Sequence, residues 1–400
     1  MVEGTLEVPN RPDRLPAVGL AVRHGAIFVL IAVPLFLVAD VFFSAGRHPT
    51  DFATFWQSGR ALLHGRSPYP VLQSLPARAY PTFAPFVYPP VAAALMVPLA
   101  VLPYGIAVVV FAAIDVAAVP FSLRLLGVRD WRCYAVALGS APVFAGSALG
   151  AVSPLLLLGV AAAWHYRDKA LRVGLLVAYV VTAKVFLWPV WLWLVGTKRF
   201  RAAAAAVAAS VVALLCSWAA IGFAGLRTYP QLLSRLTGLE GPESYSLYSL
   251  GRSLGLGGRA AEIAVYLVGA LAVALVARRR LDSRRLLIAA IGASLLLTPI
   301  LWPHYLVLLF VPVALARPYA SPIWLAPLAI WFDATAWSHG SAGRIAALLA
   351  ITAATLLAAA RLVDRDRLPI RERSDGLSSV GGRRGVREST AGVDLRRARL

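Results

Sequence analysis

Asp51, Lys184 and His304 stand out chemically from a chain that is otherwise mostly apolar. Asp51 opens a segment whose apolar or small residues at 52, 55, 56, 59, 62 and 63 repeat with the spacing of one helical face. A helix is predicted there, capped by Thr50 and ended by Gly65. Phe55 and Trp56 suit the boundary between lipid and water, with Gln57 and Arg60 on the wetter face. A carboxylate at that boundary is partly desolvated, which raises its pKa toward the range of a general base. The same acid in a first helical turn also complements the helix dipole without any catalytic role. Asp40 and Asp115, each inside an apolar stretch, are the competing acids.

Lys184 is one of three lysines and lies in the middle of the apolar stretch 173–197, far from the basic clusters at either end. A cation there either faces a polar cavity and meets an anion, or snorkels to a surface. His304 lies just after the breaks made by Pro299 and Pro303, where it can donate to a phosphate, relay a proton or serve as a hydrogen-bonded structural residue. A third group lies in Glu240-Gly241-Pro242-Glu243-Ser244-Tyr245-Ser246-Leu247-Tyr248-Ser249-Leu250-Gly251-Arg252, where Tyr248 and Arg252 suit a sugar hydroxyl or a phosphate oxygen.

The elements that position these residues follow from composition. The 400 residues are 59% hydrophobic and 14% charged, with a mean hydropathy of +0.72. A soluble domain carries about 25% charged residues. The apolar residues fall in blocks that suit helices crossing a core about 30 Å thick, and lipid admits such blocks only as helices or a closed barrel. The formal charge of +20 comes mostly from arginines in short runs between the blocks and in the tail, a positive-inside pattern that argues against nucleic acid as a partner. Cys133 and Cys216 lie in apolar stretches, so neither a disulfide framework nor a metal site is expected.

Placing every basic cluster on the cytoplasmic side sets a parity condition on the crossings between them. The reading is an all-α polytopic protein with about twelve spans: a cytoplasmic segment 1–24, a transmembrane domain 25–360 and a disordered basic cytoplasmic tail 361–400. Residues 46–87 and 223–262 become outside loops, and 88–102 a shallow or re-entrant segment. Residues 133–149 and 151–166 form a hairpin turning near Gly150, and 322–338 and 344–360 form the last hairpin. Stretches 173–197 and 286–316 carry basic residues at both ends, so each reads as a broken pair of short helices with its vertex, at Lys184 or His304, toward the outside.

With these residues in view, the chain resembles glycosyltransferase family 87, the polyprenyl-phosphate-sugar-dependent mannosyltransferases of actinobacterial envelopes in the GT-C class. The resemblance runs from about residue 25 to 360. It rests on Asp51 leading to Leu62-Leu63-His64-Gly65-Arg66-Ser67-Pro68-Tyr69, then Tyr88-Pro89-Pro90 with Pro98-Leu99-Ala100, Lys184 between short helices, Ser246-Leu247-Tyr248 before Arg252, and Pro299 with Trp302 and His304-Tyr305. It implies that Asp51 is the catalytic base and that Lys184, His304 and Arg252 bind the donor phosphate. Arg60, Tyr69, Tyr88, Tyr248 and Trp302 are the expected substrate-binding residues. Two departures stand where the family pattern leads one to expect amides: Gly150-Ala151 in place of Gly-Gln, and Ser244-Tyr245-Ser246 in place of Asn-Gln-Ser.

The expected activity is transfer of a hexose, mannose by the resemblance, from a polyprenyl-phosphate donor to an envelope lipid or glycan, with inversion at the anomeric carbon. The site would face outward from a bacterial plasma membrane, with no cofactor and no metal. A transporter or lipid flippase is the alternative, since it too uses broken helices and buried charges. A family member that binds an envelope lipid without turning it over is the third reading.

Overall fold

The computed structural model describes residues 15–45, 49–76, 85–278, 281–333 and 338–365, and among them the chain is helical with no strand. By its contacts the chain divides into Met1–Val363 and Asp364–Leu400, and of the second unit only the end of the last helix is described. The expected N-terminal segment up to residue 14 and the tail from 366 lie outside the described residues.

The segment expected to be the first outside loop begins as its periodicity predicts. After α1 (Leu15–Ala45), α2 (Thr50–Leu63) buries Phe52 and Phe55 on one face. It ends at Gly65, whose φ of +64° only glycine adopts without strain, as Arg66 N–H reaches back to Ala61 O at 2.8 Å. Thr50 is not the cap: the helix starts on it, and Pro49 occupies the capping position without a side-chain bond. α3 (Pro90–Ala100) packs on α2 closely enough that only Gly59 fits, since a Cβ there would lie 3.0 Å from Ala100 Cβ.

α4 (Tyr104–Leu125) is the second long helix. The expected span at 133–149 is instead two helices, α5 (Trp131–Leu138) and α6 (Ala141–Leu149). The break falls at Gly139 and Ser140, where Pro142 in the next first turn cannot continue a helix from before. Gly150, with φ +65°, then turns the chain into α7 (Ser153–His165) at an angle of 118° to α6, so the turn falls where it was expected, while the two helices together have the length of one bent span.

α8 (Ala170–Ala183) and α9 (Pro189–Gly196) form the predicted broken pair, with one 3₁₀ turn at Val185–Leu187 between them. Both helices meet the same stretch of α10 (Phe200–Ala219). A Cβ on Gly174 would lie 2.8 Å from Ala202 O, and the Trp191 indole donates to Ala203 O at 3.1 Å. Lys184 therefore sits at the apex of a hairpin, away from both basic ends.

The segment 223–262, expected as an outside loop, contains α11 (Tyr229–Glu240), α12 (Leu247–Ser253) and the start of α13 (Gly258–Ala277). α14 (Ser283–Leu296) leads to an irregular stretch, then a 3₁₀ helix over Pro303–Leu309 and α15 (Phe310–Ala316), giving the second broken pair. The expected span at 322–338 is a 3₁₀ helix over Pro322–Asp333, interrupted by Pro327. α16 (Ala342–Arg365) closes the bundle.

Four helices are long and apolar enough to cross a bilayer, namely Val22–Phe43 within α1, α4, α10 and Ala342–Asp364 within α16, with α6 and α7 together a fifth. Among the described residues, five shorter apolar helices have 10–17 residues. At 1.5 Å per residue they span about 15–26 Å, less than a core of about 30 Å. Length and composition thus support a helical membrane protein with four or five complete spans among the described residues. The count of twelve rests on the basic clusters alone. Phe28, Phe36 and Phe43 of α1 are each more than 70% exposed, as are Tyr266 and several leucines of α13 to a similar degree. Contiguous apolar surface of this kind is solvated by lipid.

Gly150 also marks where α2 seats on the α6–α7 turn, because a Cβ there would come within 2.5 Å of Phe52 Cβ. Gly150→Ala should lower stability by about 1–2 kcal/mol through its left-handed backbone alone, and further through displacement of Phe52. The measurement is the thermal midpoint of the purified protein in detergent; an unchanged midpoint would contradict this seating.

Candidate functional site

The broken ends of the two helix pairs, the start of α2 and the end of α11 converge on a chamber of about 670 Å³. Asp51 and Thr54 enter from α2, Lys184 from the α8–α9 apex, and Tyr229, Leu233 and Glu240 from α11. Pro299, Trp302, His304 and Tyr305 come from the second vertex, and Tyr88 from the segment before α3. Most of the remaining lining is aliphatic or aromatic.

Lys184 is 6% exposed, and its ammonium lies 3.6 Å from the centre of the Tyr305 ring, 5.3 Å from Tyr88 and 5.8 Å from Phe186. Phe186 stacks on Tyr305 at 5.0 Å, fixing two walls of the cage. Ring faces attract a cation but accept its N–H groups only weakly. Among the described residues Nζ has no hydrogen-bond partner. A buried ammonium in this state is costly until an oxygen anion supplies acceptors.

Two carboxylates share the chamber with it. Burial pushes Asp51 up to about 6, against the pull of the Lys184 charge. Burial and the nearby Asp51 charge push Glu240 up to about 7, again opposed by Lys184. His304 is buried and stands edge-on to Tyr305 at 4.7 Å.

The walls are hung from side chains. Tyr69 OH donates to Tyr88 O and Tyr229 OH to Val87 O, both at 2.9 Å, which holds the irregular segment 85–89 in place. The segment after α11 is tied to the second vertex: Tyr245 N–H donates to Leu301 O at 2.8 Å and Ser246 Oγ to Pro299 O at 2.8 Å. Tyr245 OH also donates to Asp333 Oδ2 at 2.8 Å, and Asp333 pairs with Arg344. Ser244-Tyr245-Ser246, which stands where the family pattern leads one to expect Asn-Gln-Ser, is thus engaged in buried structural bonds.

Of the residues singled out by sequence, Asp51, Lys184, His304, Tyr88 and Trp302 line the chamber. Tyr69 does not, but supports Tyr88 from behind. Arg60 is exposed, over the Trp56 ring at 4.9 Å. Tyr248 is buried in a separate cluster with Ala261 and Val265. Arg252 is exposed and donates to Leu256 O at 3.0 Å near the end of α12, so it is not brought to Lys184. Asp40 lies outside the lining, and Asp115 accepts a bond from Ser147 at 2.8 Å, tying α4 to α6. Sequence reasoning passed over Glu240, Tyr229 and the Asp333–Arg344 pair. An acid immediately before Gly241-Pro242 at the end of a helical pattern was the available signal for Glu240.

A family model, glycosyltransferase family 87, matches residues 86–303. The match includes Lys184 and Glu240, whereas Asp51 and His304 fall outside it. Over 270 residues the chain is 29% identical to a polyprenol-phosphate-mannose-dependent alpha-(1-2)-phosphatidylinositol pentamannoside mannosyltransferase of Mycobacterium tuberculosis, covering 62% of this chain and 58% of the relative. A protein of the same description from Mycolicibacterium smegmatis is 28% identical over 268 residues, covering 62% of this chain and 60% of the relative. The chain thus spans about three fifths of the length of these curated relatives. No solved structure matches it.

Arg344→Met should leave the Asp333 carboxylate buried without its cation and cost about 3–5 kcal/mol, lowering the thermal midpoint. The double replacement Asp333→Leu with Arg344→Met should recover much of the loss, which a comparison of the three proteins in one detergent checks.

Proposed function

The chain belongs to glycosyltransferase family 87, and from that premise we propose that its chamber transfers mannose from polyprenyl-phosphate-mannose to a hydroxyl of an envelope lipid or glycan. The observation that carries the reading is the caged Lys184 ammonium, which asks for an oxygen anion, in a largely apolar chamber next to a carboxylate. Such a chamber suits a phosphate that carries a hydrocarbon chain.

In the mechanism, Asp51 accepts the proton of the acceptor hydroxyl while that oxygen attacks the anomeric carbon. The bond from that carbon to the phosphate oxygen breaks, its electron pair leaves on polyprenyl phosphate, and the configuration inverts. Lys184 offsets the charge that develops on the leaving phosphate, and His304 can donate to the same group. Tyr88 and Trp302 bound the space for the sugar. Arg252, Tyr248 and Arg60 have no direct part in this chemistry. The membrane arrangement that goes with it has both ends cytoplasmic, about twelve crossings, α2 in the outer interface and the chamber open to the outside. Turnover separates this reading from a transporter or a silent binder.

Asp51→Asn should lower transfer by about 10²–10⁴-fold, the range of a lost general base, measured as labelled mannose moving from polyprenyl-phosphate-mannose into an envelope lipid extract. Full retention would remove Asp51 from the base role.

The pH dependence has a definite sign. Asp51 acts when ionised, so transfer should fall as pH drops through about 6. Glu240, at about 7, is mostly protonated and neutral where Asp51 titrates, so Glu240→Gln should leave the acidic limb near its parent position. Lys184→Met removes a cation that stabilises the carboxylate, so the limb should move to higher pH in whatever activity remains. A Lys184→Met profile that coincides with the parent's would contradict the shared chamber.

A further inference from the structure

On the far side of Thr54 from Asp51 lies a second cavity of about 310 Å³. Its walls are Thr54, Gln57, Ser58 and Ala61 of α2, Ser67 to Pro70 of the following loop, and Pro85 and Phe86. Thr54 and Pro85 line both cavities, so the two adjoin there. Residues 51, 54, 58 and 61 follow the i, i+3, i+7, i+10 spacing of one helical face, with Gln57 beside them. One face of α2 therefore leads from the carboxylate of Asp51, past the hydroxyl of Thr54, to the amide of Gln57 and the hydroxyl of Ser58.

The two cavities differ in chemistry. The chamber holds the cation and both carboxylates but is otherwise walled by aliphatic and aromatic side chains, whereas the side cavity offers hydroxyls and an amide with no ionisable group except the phenol of Tyr69. That phenol is already committed, donating to Tyr88 O at 2.9 Å with its ring stacked on Trp218 at 5.4 Å. Ser58 Oγ donates to Thr54 O at 2.7 Å and Ser67 Oγ accepts from Tyr69 N–H at 3.3 Å, so both hydroxyls are oriented by bonds within the chain. Neutral hydroxyl and amide groups, two of the hydroxyls oriented by the chain, match a neutral polyol, whose hydroxyls both donate and accept. They match neither a hydrocarbon chain nor a phosphate.

We propose that this side cavity is the acceptor subsite, binding the carbohydrate end of the acceptor through Gln57, Ser58 and Thr54 so that its terminal hydroxyl passes Thr54 to reach Asp51. The assignment rests on the transferase reading of the chamber and deepens it. Donor and acceptor then enter from opposite sides of Thr54, the lipid-borne phosphate through the apolar chamber and the sugar through the polar one. Ala61 stands at the outer end of the row, where its small side chain leaves width for a ring.

The test uses the full chain in detergent with Cys216→Ser, which removes the exposed native thiol and leaves Cys133 buried. Gln57→Cys reports on the side cavity and Leu233→Cys on the chamber, each labelled with a charged methanethiosulfonate. Mannotriose, a carbohydrate without a lipid chain, should slow labelling at Gln57→Cys and leave Leu233→Cys unchanged; farnesyl phosphate should do the reverse. If mannotriose at saturating concentration leaves Gln57→Cys unprotected, or if farnesyl phosphate protects it, the side cavity is not the acceptor subsite. If farnesyl phosphate fails to protect Leu233→Cys, the donor reading of the chamber fails on its own account. In a transfer assay, Gln57→Leu should raise the acceptor KM about tenfold with the donor KM unchanged, as expected when one sugar-facing hydrogen bond is lost. An equal rise in both would overturn the assignment.

Discussion

A lysine ammonium held among aromatic rings inside an apolar bundle is the constraint around which the remaining features arrange themselves. Lys184 has three N–H groups and a full charge, and burial withdraws the water that would satisfy both. Tyr305, Tyr88 and Phe186 return part of the charge stabilisation through their ring faces. They do not replace an acceptor, and in the proposed reaction the donor phosphate supplies one. To place the ammonium there, the helix that carries it has to stop halfway. The apex between α8 and α9 does this, and the packing of both helices on one stretch of α10 supports it. The break at Thr298 to Trp302 plays the same part for His304 and Tyr305.

Stopping helices inside a bundle leaves chain without a regular hydrogen-bond ladder, and here side chains supply the missing bonds. Tyr69 and Tyr229 each hold one carbonyl of the segment before α3. Tyr245 joins the end of the α11 loop to the second vertex through its backbone and to Asp333 through its hydroxyl. These bonds join elements 19 to 142 residues apart in the chain. The chamber is therefore a product of the tertiary fold. No single segment would keep its shape alone, which is why the departures at 244–246 from the family pattern do not by themselves speak about the sugar.

What could be read beforehand follows the same division. α2 was visible because its apolar residues recur on one face, and the vertices at Lys184 and His304 because basic residues at both ends of one apolar stretch forbid a single crossing. Both features are local or depend on charge sidedness alone. The split of 133–149 turned on Pro142 and on packing of Gly139 against α1, where the apolar composition gives no periodic cue. Glu240 was read as loop because the helix before it, Tyr229–Glu240, has few apolar residues and buries only Leu232 and Leu236. Arg252 and Tyr248 were drawn in by proximity in sequence to hydroxyl-rich residues, but α12 turns the arginine to its own C-terminal carbonyls and the tyrosine into a separate cluster. Distance in space between 252 and 184 is set by contacts that no pattern within either segment encodes.

Within the proposed reaction, the charges in the chamber favour Asp51 over Glu240 as the base. Glu240, pushed up to about 7, is about half protonated at neutral pH, while Asp51, at about 6, is mostly ionised. A donor phosphate entering beside Lys184 adds one negative charge. Two ionised carboxylates and a phosphate around one ammonium would be strongly repulsive in this setting, and the least costly relief is a proton taken up by the group that holds it more tightly. That group is Glu240. In the proposed reaction, donor binding then leaves Asp51 as the ionised carboxylate. Two acids of the same chemical type thus acquire different roles from their surroundings. The neighbour that lacks a place in the bond-making step serves by carrying the proton that keeps the other one charged.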